Sequence, residues 1–485
     1  MYSIFSILLA VLPFVSGAAI PVNEQLYRNV VVTVTERQYG PSGTNGTATA
    51  GGPVATPSDR APPMYKPPSN TTKGDGFTGY RSIGYLVDWG IYGRKFFPPM
   101  LRADQFTHIM LSFLNFNVTT GEVFMTDPAA DVQVKFGTAG LEWPTPDPKV
   151  ANGIVEQMFL MKHQYRNLKT MLSIGGWTYS SEGKYNKYLK TPESRAGFAK
   201  TAAKFVNDFG MDGIDVDWEY PDTPEDGLNL ADLLRRCREE LNKLDPKFEL
   251  SIAAPCGPKN IVNLPIMEID KHLDFWNLMA YDFAGSGFSE FAGHMSNFYP
   301  STDDPKSTPF SYVAALDTYL AAGVNPRKIN TGMPIYGRSF GGTDGLGKSF
   351  SVDQTPKGWE PGAHDYKSLP LHAGDVVFED EKLLASGSYN PETRVLVSYD
   401  TPKMARLKAQ FIMDRGLGGA FWWETSADRD TAESNLVQNV IKTFGGQKSF
   451  QQKENRLDYP ESKYDNIKSW SGESVKWNRT EFEQI

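Results

Sequence analysis

Four acidic side chains, Asp212, Asp215, Asp217 and Glu219, stand within eight residues of this chain. The last three alternate with apolar residues in the segment 214–218, a pattern typical of a buried β-strand. Because side chains two residues apart point to the same face of a strand, we expect the last three acids to form one file of carboxylates. Such a file resists burial, so a protein keeps it only where a proton is shared, a cation is bound or chemistry requires it.

The residues alone leave three interpretations of the file open. A solvated acidic edge strand is the first, although Trp218 and the apolar opposite face disfavour it. A Mg²⁺ or Ca²⁺ site is the second, because carboxylate oxygens suit both ions. Acid–base catalysis is the third: Glu219 would lie at the carboxyl end of the strand, and Asp217 beside it would raise its pKa and keep it protonated.

The rest of the chain predicts the fold that holds this strand. From Arg81 onwards, short apolar runs alternate with amphipathic segments, which indicates a parallel α/β fold. Eight strand–helix units predict a (β/α)8 TIM barrel. The predicted strands are Ser82–Val87, Thr107–Leu114, Lys169–Ile174, Gly213–Trp218, Glu249–Ala254, Phe275–Tyr281, Lys328–Pro334 and Gly419–Trp423. The predicted helices include Ala151–Tyr165, Ser194–Phe209, Gly227–Leu244 and Pro402–Arg415.

The acidic motif, Asp-x-x-Asp-x-Asp-x-Glu ending at Glu219, resembles the signature of glycoside hydrolase family 18, the chitinases. Two other strand ends, Ser173-Ile-Gly-Gly and Met279-Ala-Tyr-Asp, are similar to further motifs of that family. The resemblance, closest to the secreted fungal type, implies catalysis by Asp215, Asp217, Glu219 and Tyr281. It implies substrate binding by Tyr85, Ser173, Trp177, Met279, Asp282, Tyr336, Arg338 and Trp423.

The resemblance also implies a mechanism in which the substrate's own N-acetyl oxygen attacks the anomeric carbon. Glu219 would protonate the leaving oxygen and later activate water. Asp217 would orient the acetamide and stabilise the charge developing on its nitrogen, and Asp215 would share a proton with Asp217. Tyr281 would fix the acetamide carbonyl, and Tyr85 would bond Asp215.

The remaining binding residues receive roles from the same resemblance. Ser173 would hydrogen-bond into the carboxylate file and Trp177 would line the −1 sugar region. Tyr336 and Arg338 would contact sugar hydroxyls and Asp282. Trp423 would form the floor of the −1 subsite, with Trp422 as the alternative register. Non-proline cis bonds are expected at Ser112–Phe113, Glu219–Tyr220 and Trp423–Glu424.

One departure from the family concerns the leaving side of the substrate. Where the family often has a tryptophan that stacks on the +1 sugar, this chain has Ser286-Gly-Phe288. Phe288 is the candidate substitute, and endo or exo action stays open.

The domain organisation follows from shifts in composition. An apolar run from Ile4 to Val15, followed by small residues, predicts a secretory signal peptide. A region rich in Pro, Gly, Ser and Thr follows, and its composition predicts a disordered linker. We predict a signal peptide at 1–19, the linker at 20–76, a catalytic barrel at 77–338 and 399–446, a small α+β insertion domain at 339–398 between strands seven and eight, and an extension at 447–485.

Composition limits the partners. A net charge of −8 without a basic block disfavours nucleic acid and anionic membranes. The sequence predicts no metal site, no cofactor and a monomer. If the chain is secreted, Asn45, Asn70, Asn117 and Asn478 are glycosylation acceptors. The two cysteines, Cys237 and Cys256, are expected to be free, because a helix and a following strand place them at different heights.

The resemblance implies chitin or N-acetylglucosamine oligosaccharides as the substrate. An endo-β-N-acetylglucosaminidase acting on N-glycans is the alternative within the enzyme class. A chitin-binding lectin on the same fold is the alternative outside it, although lectin relatives typically have the acid replaced and Glu219 is intact.

Overall fold

The structure is a computed structural model that describes residues 77–137 and 140–469. The predicted signal peptide at 1–19 and the linker at 20–76 lie outside the described residues, as does the extension beyond residue 469. Strands and helices are numbered below in chain order.

Eight parallel strands form a closed barrel, which confirms the predicted fold. The first strand pairs with both the second and the last, for example Tyr85 with Met110 and Ile83 with Phe421, and these pairings close the ring. The barrel strands are β1 (Arg81–Val87), β2 (His108–Phe116), β6 (Lys169–Gly175), β7 (Gly213–Asp217), β8 (Glu249–Ala254), β9 (Phe275–Leu278), β10 (Ile329–Pro334) and β16 (Gly419–Trp423).

Two strands end earlier than predicted. β7 ends at Asp217 rather than Trp218, and Glu219 donates its backbone N–H to the Ser180 hydroxyl at 3.0 Å instead of joining the ladder. β9 ends at Leu278 rather than Tyr281, because the Ala280 N–H turns back onto the Leu278 carbonyl at 2.8 Å. The last predicted site residue of each strand therefore lies just beyond the sheet.

Helices cover the barrel, and the longest begin at strong caps. Thr191 accepts the Ser194 N–H, and Thr223 accepts the Asp226 N–H, each followed by a proline at the first helical position. The α-helices are α1 (Pro128–Val132), α2 (Gly153–Gln164), α3 (Trp177–Ser181), α4 (Lys184–Tyr188), α5 (Pro192–Phe209), α6 (Pro224–Leu244), α7 (Pro258–Ile261), α8 (Ile266–Asp270), α9 (Tyr312–Ala322), α10 (Pro402–Asp414), α11 (Leu436–Phe444) and α12 (Asp465–Lys468).

A second, antiparallel sheet lies in the chain between the seventh and eighth barrel strands. It consists of β11 (Tyr336–Phe340), β12 (Ala363–Asp365), β13 (Val376–Asp380), β14 (Ala385–Asn390) and β15 (Val395–Ser398), in the order β12-β11-β15-β14-β13. We call it the insertion sheet. A 3₁₀ turn at Tyr366–Ser368 interrupts the strands. Shorter strands β3 (Val123–Met125), β4 (Lys135–Gly137) and β5 (Gly140–Glu142) follow β2.

The amino-terminal ends of the barrel strands hold buried ion pairs, and we call this region the closed end. Lys162 Nζ lies 2.8 Å from Asp212 Oδ2, with side chains 0% and 4% exposed. Glu249, which begins β8, lies 2.7 Å from Lys169 Nζ and 2.7 Å from His108 Nε2. Each buried carboxylate at this end thus has a cationic or imidazole partner.

The segment after α11 packs across the closed end. The Tyr459 hydroxyl donates to the Met211 carbonyl at 2.7 Å, and the Arg456 N–H donates to Asp212 Oδ1 at 2.9 Å. The Asn455 side-chain amide donates to the Lys162 carbonyl of α2 and to the Tyr165 and Leu168 carbonyls of the connection between α2 and β6. These contacts make the described part of the C-terminal extension a portion of the barrel's packing.

The two thiols are free, as expected: Cys237 on α6 and Cys256 after β8 are both buried. Within residues 77–137 and 140–469, no helix is both long and apolar enough to span a membrane.

Candidate active site

The three carboxylates of the file lie at the carboxyl end of β7. Asp215 and Asp217 are 0% and 4% exposed, while Ile214, Val216 and Trp218 face the helix-side core. The strand's two-residue alternation therefore separates acids from apolar side chains, as the sequence pattern predicts. Glu219 continues the file one residue beyond the strand.

Asp215 is the most completely hydrogen-bonded of the three. Its Oδ2 accepts the Tyr85 hydroxyl at 2.9 Å and the Ser173 hydroxyl at 2.9 Å, and its Oδ1 accepts the Ser251 hydroxyl at 2.6 Å. The predicted bonds from Tyr85 and Ser173 are thus present. Burial raises the pKa of Asp215, and these three hydrogen bonds act in the opposite direction.

Asp217 lies in a different environment although it is only two residues away. Its Oδ1 is buried and has no hydrogen-bond partner among the described residues. Burial, followed by the negative charges of Glu219 and Asp215, raises the pKa of Asp217 well above its usual range. An unpartnered buried acceptor is costly, and a catalytic role is one reason for a protein to keep it.

Glu219 has the pKa of a neutral-pH acid. Burial raises the pKa of Glu219 to about 7. A hydrogen bond with Tyr220 opposes this shift, and the charge of Asp282 adds to it. A carboxyl with such a pKa is protonated for part of the time near neutrality and so is able to donate a proton.

Tyr281 and Met279 remain in the barrel interior although β9 ends before them. Met279 belongs to a buried interior cluster, and Tyr281 packs against it, with its ring centroid 5.9 Å from that of Phe421. Burial, followed by neighbouring phenols and carboxylates, holds the pKa of Tyr281 well above its usual range, so its hydroxyl stays a proton donor. The cluster contains Ile83, Tyr85, Met110, Met171, Ala253, Phe275, Met279 and Phe421.

Asp282, Tyr336 and Arg338 form a second group beside the file. Asp282 accepts the Tyr336 hydroxyl at 2.7 Å and the Arg338 guanidinium at 2.8 and 2.7 Å through its two oxygens. Burial alone would lower the pKa of Arg338, but the two-point contact with Asp282 outweighs it and raises this pKa. Tyr336 and Arg338 both stand on β11, the first strand of the insertion sheet.

Trp423, not Trp422, faces the interior. Its ring lies 5.7 Å from Tyr85 and 5.6 Å from Phe113, whereas Trp422 is wholly buried in the helix-side core. Trp177 begins α3, directly after the Gly-Gly pair, and is 61% exposed. It is therefore separate from the buried group and stands at the surface.

Three polar residues of the site escaped the sequence reasoning. Ser251 bonds Asp215, Asn277 Nδ2 donates to the Tyr85 hydroxyl at 3.3 Å, and Ser180 accepts the Glu219 N–H. A signal existed for the first two, because Ser251 and Asn277 interrupt apolar strands at inward positions. The expected cis bonds at Ser112–Phe113, Glu219–Tyr220 and Trp423–Glu424 are present.

Comparisons with known proteins agree with this geometry. Residues 81–428 match the family model described as glycosyl hydrolases family 18. The chain is 42% identical to Chitinase 1 of Aphanocladium album over 81% of this chain and 91% of that protein. It is 41% identical to Endochitinase 1 of Metarhizium robertsii over 84% and 94%. The catalytic domain of a psychrophilic chitinase B from Arthrobacter TAD20 superposes with a TM-score of 0.67 at 27% identity, over 76% of this chain and 96% of that one.

Proposed function

The chain belongs to glycosyl hydrolase family 18 and is a glycoside hydrolase of the chitinase type, and on this premise we propose how it acts. It is a secreted enzyme that hydrolyses β-1,4-linked N-acetylglucosamine polymers with retention of configuration. The substrate's own acetamide serves as the nucleophile.

The observation that carries this proposal is the contrast within the carboxylate file. Glu219 has a pKa of about 7, while the buried Oδ1 of Asp217 has no hydrogen-bond partner among the described residues. The first group is a proton donor near neutrality, and the second is an acceptor aligned with it on the same file. Asp215 and Asp217 lie on β7 and Glu219 lies directly after it, so all three acids are on one side of the site. This placement supports a reaction without an enzyme nucleophile across the sugar ring.

The first half of the reaction divides between these two groups. Glu219 protonates the glycosidic oxygen while the acetamide oxygen attacks the anomeric carbon and the bond to the leaving sugar breaks. Asp217 accepts the acetamide N–H and stabilises the positive charge that develops on that nitrogen. In the second half, Glu219 as carboxylate removes a proton from water while the water oxygen attacks the anomeric carbon. The bond from that carbon to the acetamide oxygen breaks, which opens the cyclic intermediate and restores the acetamide.

Asp215 supports Asp217 by way of its own hydrogen bonds. Three hydroxyls already satisfy Asp215, so its carboxylate stays fixed in the barrel interior. Burial, then the charge of Glu219 and then the charge of Asp215 raise the pKa of Asp217, which favours one proton shared between Asp217 and Asp215. Tyr281 donates to the acetamide carbonyl oxygen and holds it in line for attack.

The binding residues surround the reacting sugar. Trp423 forms the apolar floor of the −1 subsite, and Tyr85 and Phe113 pack beside it. The Asp282–Arg338 pair and Tyr336 contact sugar hydroxyls. Trp177 and Phe288 are 61% and 60% exposed, and each offers an aromatic face to a sugar ring at the rim.

Two alternatives remain distinguishable by simple assays. An endo-β-N-acetylglucosaminidase would release N-glycans from a glycoprotein and leave N-acetylglucosamine hexamers intact. A chitin-binding lectin would bind the hexamer without turnover, and a chromogenic chitotrioside reports that difference directly. The complete set of acids disfavours the lectin.

The decisive experiment follows the anomeric configuration of freshly formed product. Proton NMR of N-acetylglucosamine hexamers during cleavage should show the β-anomer first, because retention requires two displacements. A thiazoline analogue of the cyclic intermediate should inhibit competitively and bind more tightly than the substrate. Initial formation of the α-anomer would exclude the acetamide mechanism, and absence of cleavage would exclude the activity.

Secretion is proposed from the apolar N-terminal run followed by small residues, which lies outside the described part of the chain. N-terminal sequencing of protein recovered from the culture medium of an expressing fungus tests it. A mature chain that begins near residue 20 is the expected result, and full-length protein retained in cells would contradict it.

A further inference from the structure

The segment that carries Tyr281 and Asp282 is attached to the protein on both sides of these residues. The Ala280 carbonyl accepts the Ser296 hydroxyl at 2.6 Å, and the Phe283 N–H donates to the Met295 carbonyl at 3.0 Å. This segment lies beyond the end of β9 and beyond the last bond to β8, in which the Met279 N–H donates to the Ala254 carbonyl at 2.9 Å. Its position depends on the loop at residues 295–296.

Asp282 itself adopts a backbone conformation that requires support. Its φ is +58°, in the left-handed region that residues other than glycine seldom occupy. The two attachments on Ala280 and Phe283 bracket this residue and hold it there. A loose segment would be free to leave that conformation and to carry Tyr281 with it.

A wholly buried lysine holds the loop in turn. Lys408, on α10, is 0% exposed, and its Nζ donates to the Ser296 carbonyl at 2.5 Å and to the Ser296 hydroxyl at 2.9 Å. It also donates to both oxygens of Asp400, each at 2.8 Å. The ammonium group therefore joins α10, the chain after β15 and the loop in one contact.

The chemistry of lysine makes this contact directional. An ammonium group has donors and no acceptor, so the Ser296 hydroxyl must accept from it. The hydroxyl proton is then left to point at the Ala280 carbonyl, which is the contact observed. Lys408 thus sets the orientation of the Ser296 hydroxyl as well as its position.

The insertion sheet ends on the same loop. The Met295 N–H donates to the Ser398 hydroxyl at 3.0 Å, and Ser398 is the register partner of Arg338 across β11 and β15. Arg338 binds Asp282 through two oxygens. The end of β15 therefore contacts both the strand that carries Arg338, the cationic partner of Asp282, and the loop that fixes the backbone beside Asp282.

Stability alone does not account for this arrangement. A buried Lys–Asp pair loses hydration on burial, and apolar side chains of similar volume in its place are often equally or more stable. What apolar side chains could not supply is the directional contact to the Ser296 hydroxyl and carbonyl. The pair's specific effect is therefore geometric.

We propose that Lys408 and Ser296 are positioning residues for the reaction, which set the place of the Tyr281 hydroxyl and the Asp282 carboxylate through the Ala280 carbonyl. This inference rests on the proposed function of Tyr281. It assigns a role in catalysis to two side chains that do not touch the substrate.

The first test is Ser296→Ala with Ser296→Thr as the conservative variant. We expect kcat on a chromogenic chitotrioside to fall about 10-fold or more in Ser296→Ala, because displacement of a reacting group by a fraction of an ångström costs that much. KM should change by less than about threefold, affinity for the thiazoline analogue should fall with kcat, and Ser296→Thr should recover most of both.

Ser462→Ala is the matched control, because Ser462 lies at the closed end. Ser462 is also buried, and its hydroxyl likewise donates to a backbone carbonyl, that of Asp208 at 2.6 Å, while it accepts the Tyr464 N–H. We expect this variant to lose stability as Ser296→Ala does and to keep kcat. Equal loss of kcat in both variants would overturn the proposal.

The second test removes the ion pair without leaving a lone buried charge. The double variant Lys408→Met/Asp400→Leu should fold, and it should lose kcat as Ser296→Ala does. Combining Ser296→Ala with Tyr281→Phe should cost much less than the product of the two separate losses, because the serine acts in part through the tyrosine. Independent, multiplying losses in that combination would overturn the proposal.

Failure of this inference is distinguishable from failure of the proposed function. If the wild-type enzyme does not cleave the chitotrioside, the proposed function is wrong. If the wild type cleaves it and Ser296→Ala cleaves it equally fast, the positioning role alone is wrong.

Discussion

The two ends of β7 carry acids of the same type and similar burial in opposite surroundings. Asp212, just before the strand, lies 2.8 Å from the ammonium group of Lys162. Asp217, at the other end, has no partner for its Oδ1 among the described residues and has Asp215 and Glu219 as its charged neighbours. Only four residues, 213–216, therefore separate a neutralised carboxylate from an uncompensated one.

The pKa values show what this difference does. At the closed end, burial acts to raise the pKa of Glu249, but the charge of Lys169 and the hydrogen bond with His108 outweigh it and hold this pKa well below its usual range. At the opposite end of the barrel, where the strands have their carboxyl ends and which we call the mouth, burial raises the pKa of Glu219 to about 7. The charge of Asp282 acts in the same direction. Burial alone does not decide the protonation state, because the sign of the neighbouring charge does. The ion pairs of the closed end therefore stabilise the fold, whereas the raised pKa of Glu219 at the mouth lets this carboxyl donate a proton.

The largest expected effect is at the mouth. Glu219→Gln removes the proton donor while it keeps the shape of the side chain, so kcat should fall by about 10³-fold or more. Binding of N-acetylglucosamine hexamers, measured by calorimetry, should change little. Near wild-type turnover in this variant would show that another group is the acid.

The matching change at the closed end should act on stability instead. Lys162→Met leaves Asp212 buried without its cation, and we expect the free energy of unfolding to fall by about 3–5 kcal/mol. Urea unfolding measures this loss, while kcat of the folded enzyme should stay within about twofold. Lys271→Met is the control, since Lys271 pairs with Glu268 at the surface, both side chains are 58% exposed, and the change should cost under about 1 kcal/mol. Loss of kcat comparable to that of Glu219→Gln would remove the distinction between the two ends.

The raised pKa of Glu219 should be visible in the pH dependence of both catalysis and stability. Because the acid form of Glu219 is the active one, kcat/KM should fall about tenfold per pH unit above about 7, the pKa that burial gives this group. Its folded pKa exceeds its unfolded one, so the native state holds the proton more tightly, and stability falls as pH rises from the ordinary glutamate pKa to about 7.

Glu219→Gln lacks this titration, so above neutral pH its stability relative to wild type should be greater than at pH 4. Thermal unfolding at both pH values checks the sign. A variant that gains nothing above neutral pH would contradict the raised pKa.

The smallest expected effect concerns the rim of the mouth. Phe288 is 60% exposed, and its ring lies 5.9 Å from the Arg338 guanidinium carbon. Phe288→Ala should raise KM about 3–10-fold for oligosaccharides that extend over the leaving side, and leave kcat unchanged. Leu244→Ala, an exposed apolar change at the end of α6, serves as the control. If Phe288→Ala changed KM by the same factor for short and long substrates, Phe288 would be excluded as a residue that stacks on a sugar.

The sequence predicted the barrel well because its strands obey a local rule. Runs of buried residues fix all eight strands, and Glu249–Ala254 and Gly419–Trp423 have the predicted bounds. The two early strand ends depend on contacts that no local pattern contains: Ser180 is on α3, and the turn at Ala280 follows from tertiary packing.

The acidic residues of the site could be predicted from the sequence, but the residues that position the site could not. The spacing of Asp215, Asp217 and Glu219 is visible in the sequence, because a strand turns spacing into position. The Lys408–Asp400 pair is not visible in this way: an isolated lysine on an amphipathic helix normally faces water. Only the meeting of α10 with the chain after β15 gives it a buried partner.

The placement of Tyr336 and Arg338 on β11 has a consequence for engineering. Their strand pairs with Asp365 and Ser398 across the insertion sheet, while the adjoining Ile335 N–H bonds the Trp423 carbonyl at 2.9 Å. A chimera that exchanged only 339–398 with a relative would split β11 from its register partners and misplace the arginine. Junctions at Pro334 and Tyr399 would transfer the strand, its partners and the arginine as one module, and the recipient's own Asp282 equivalent would receive it.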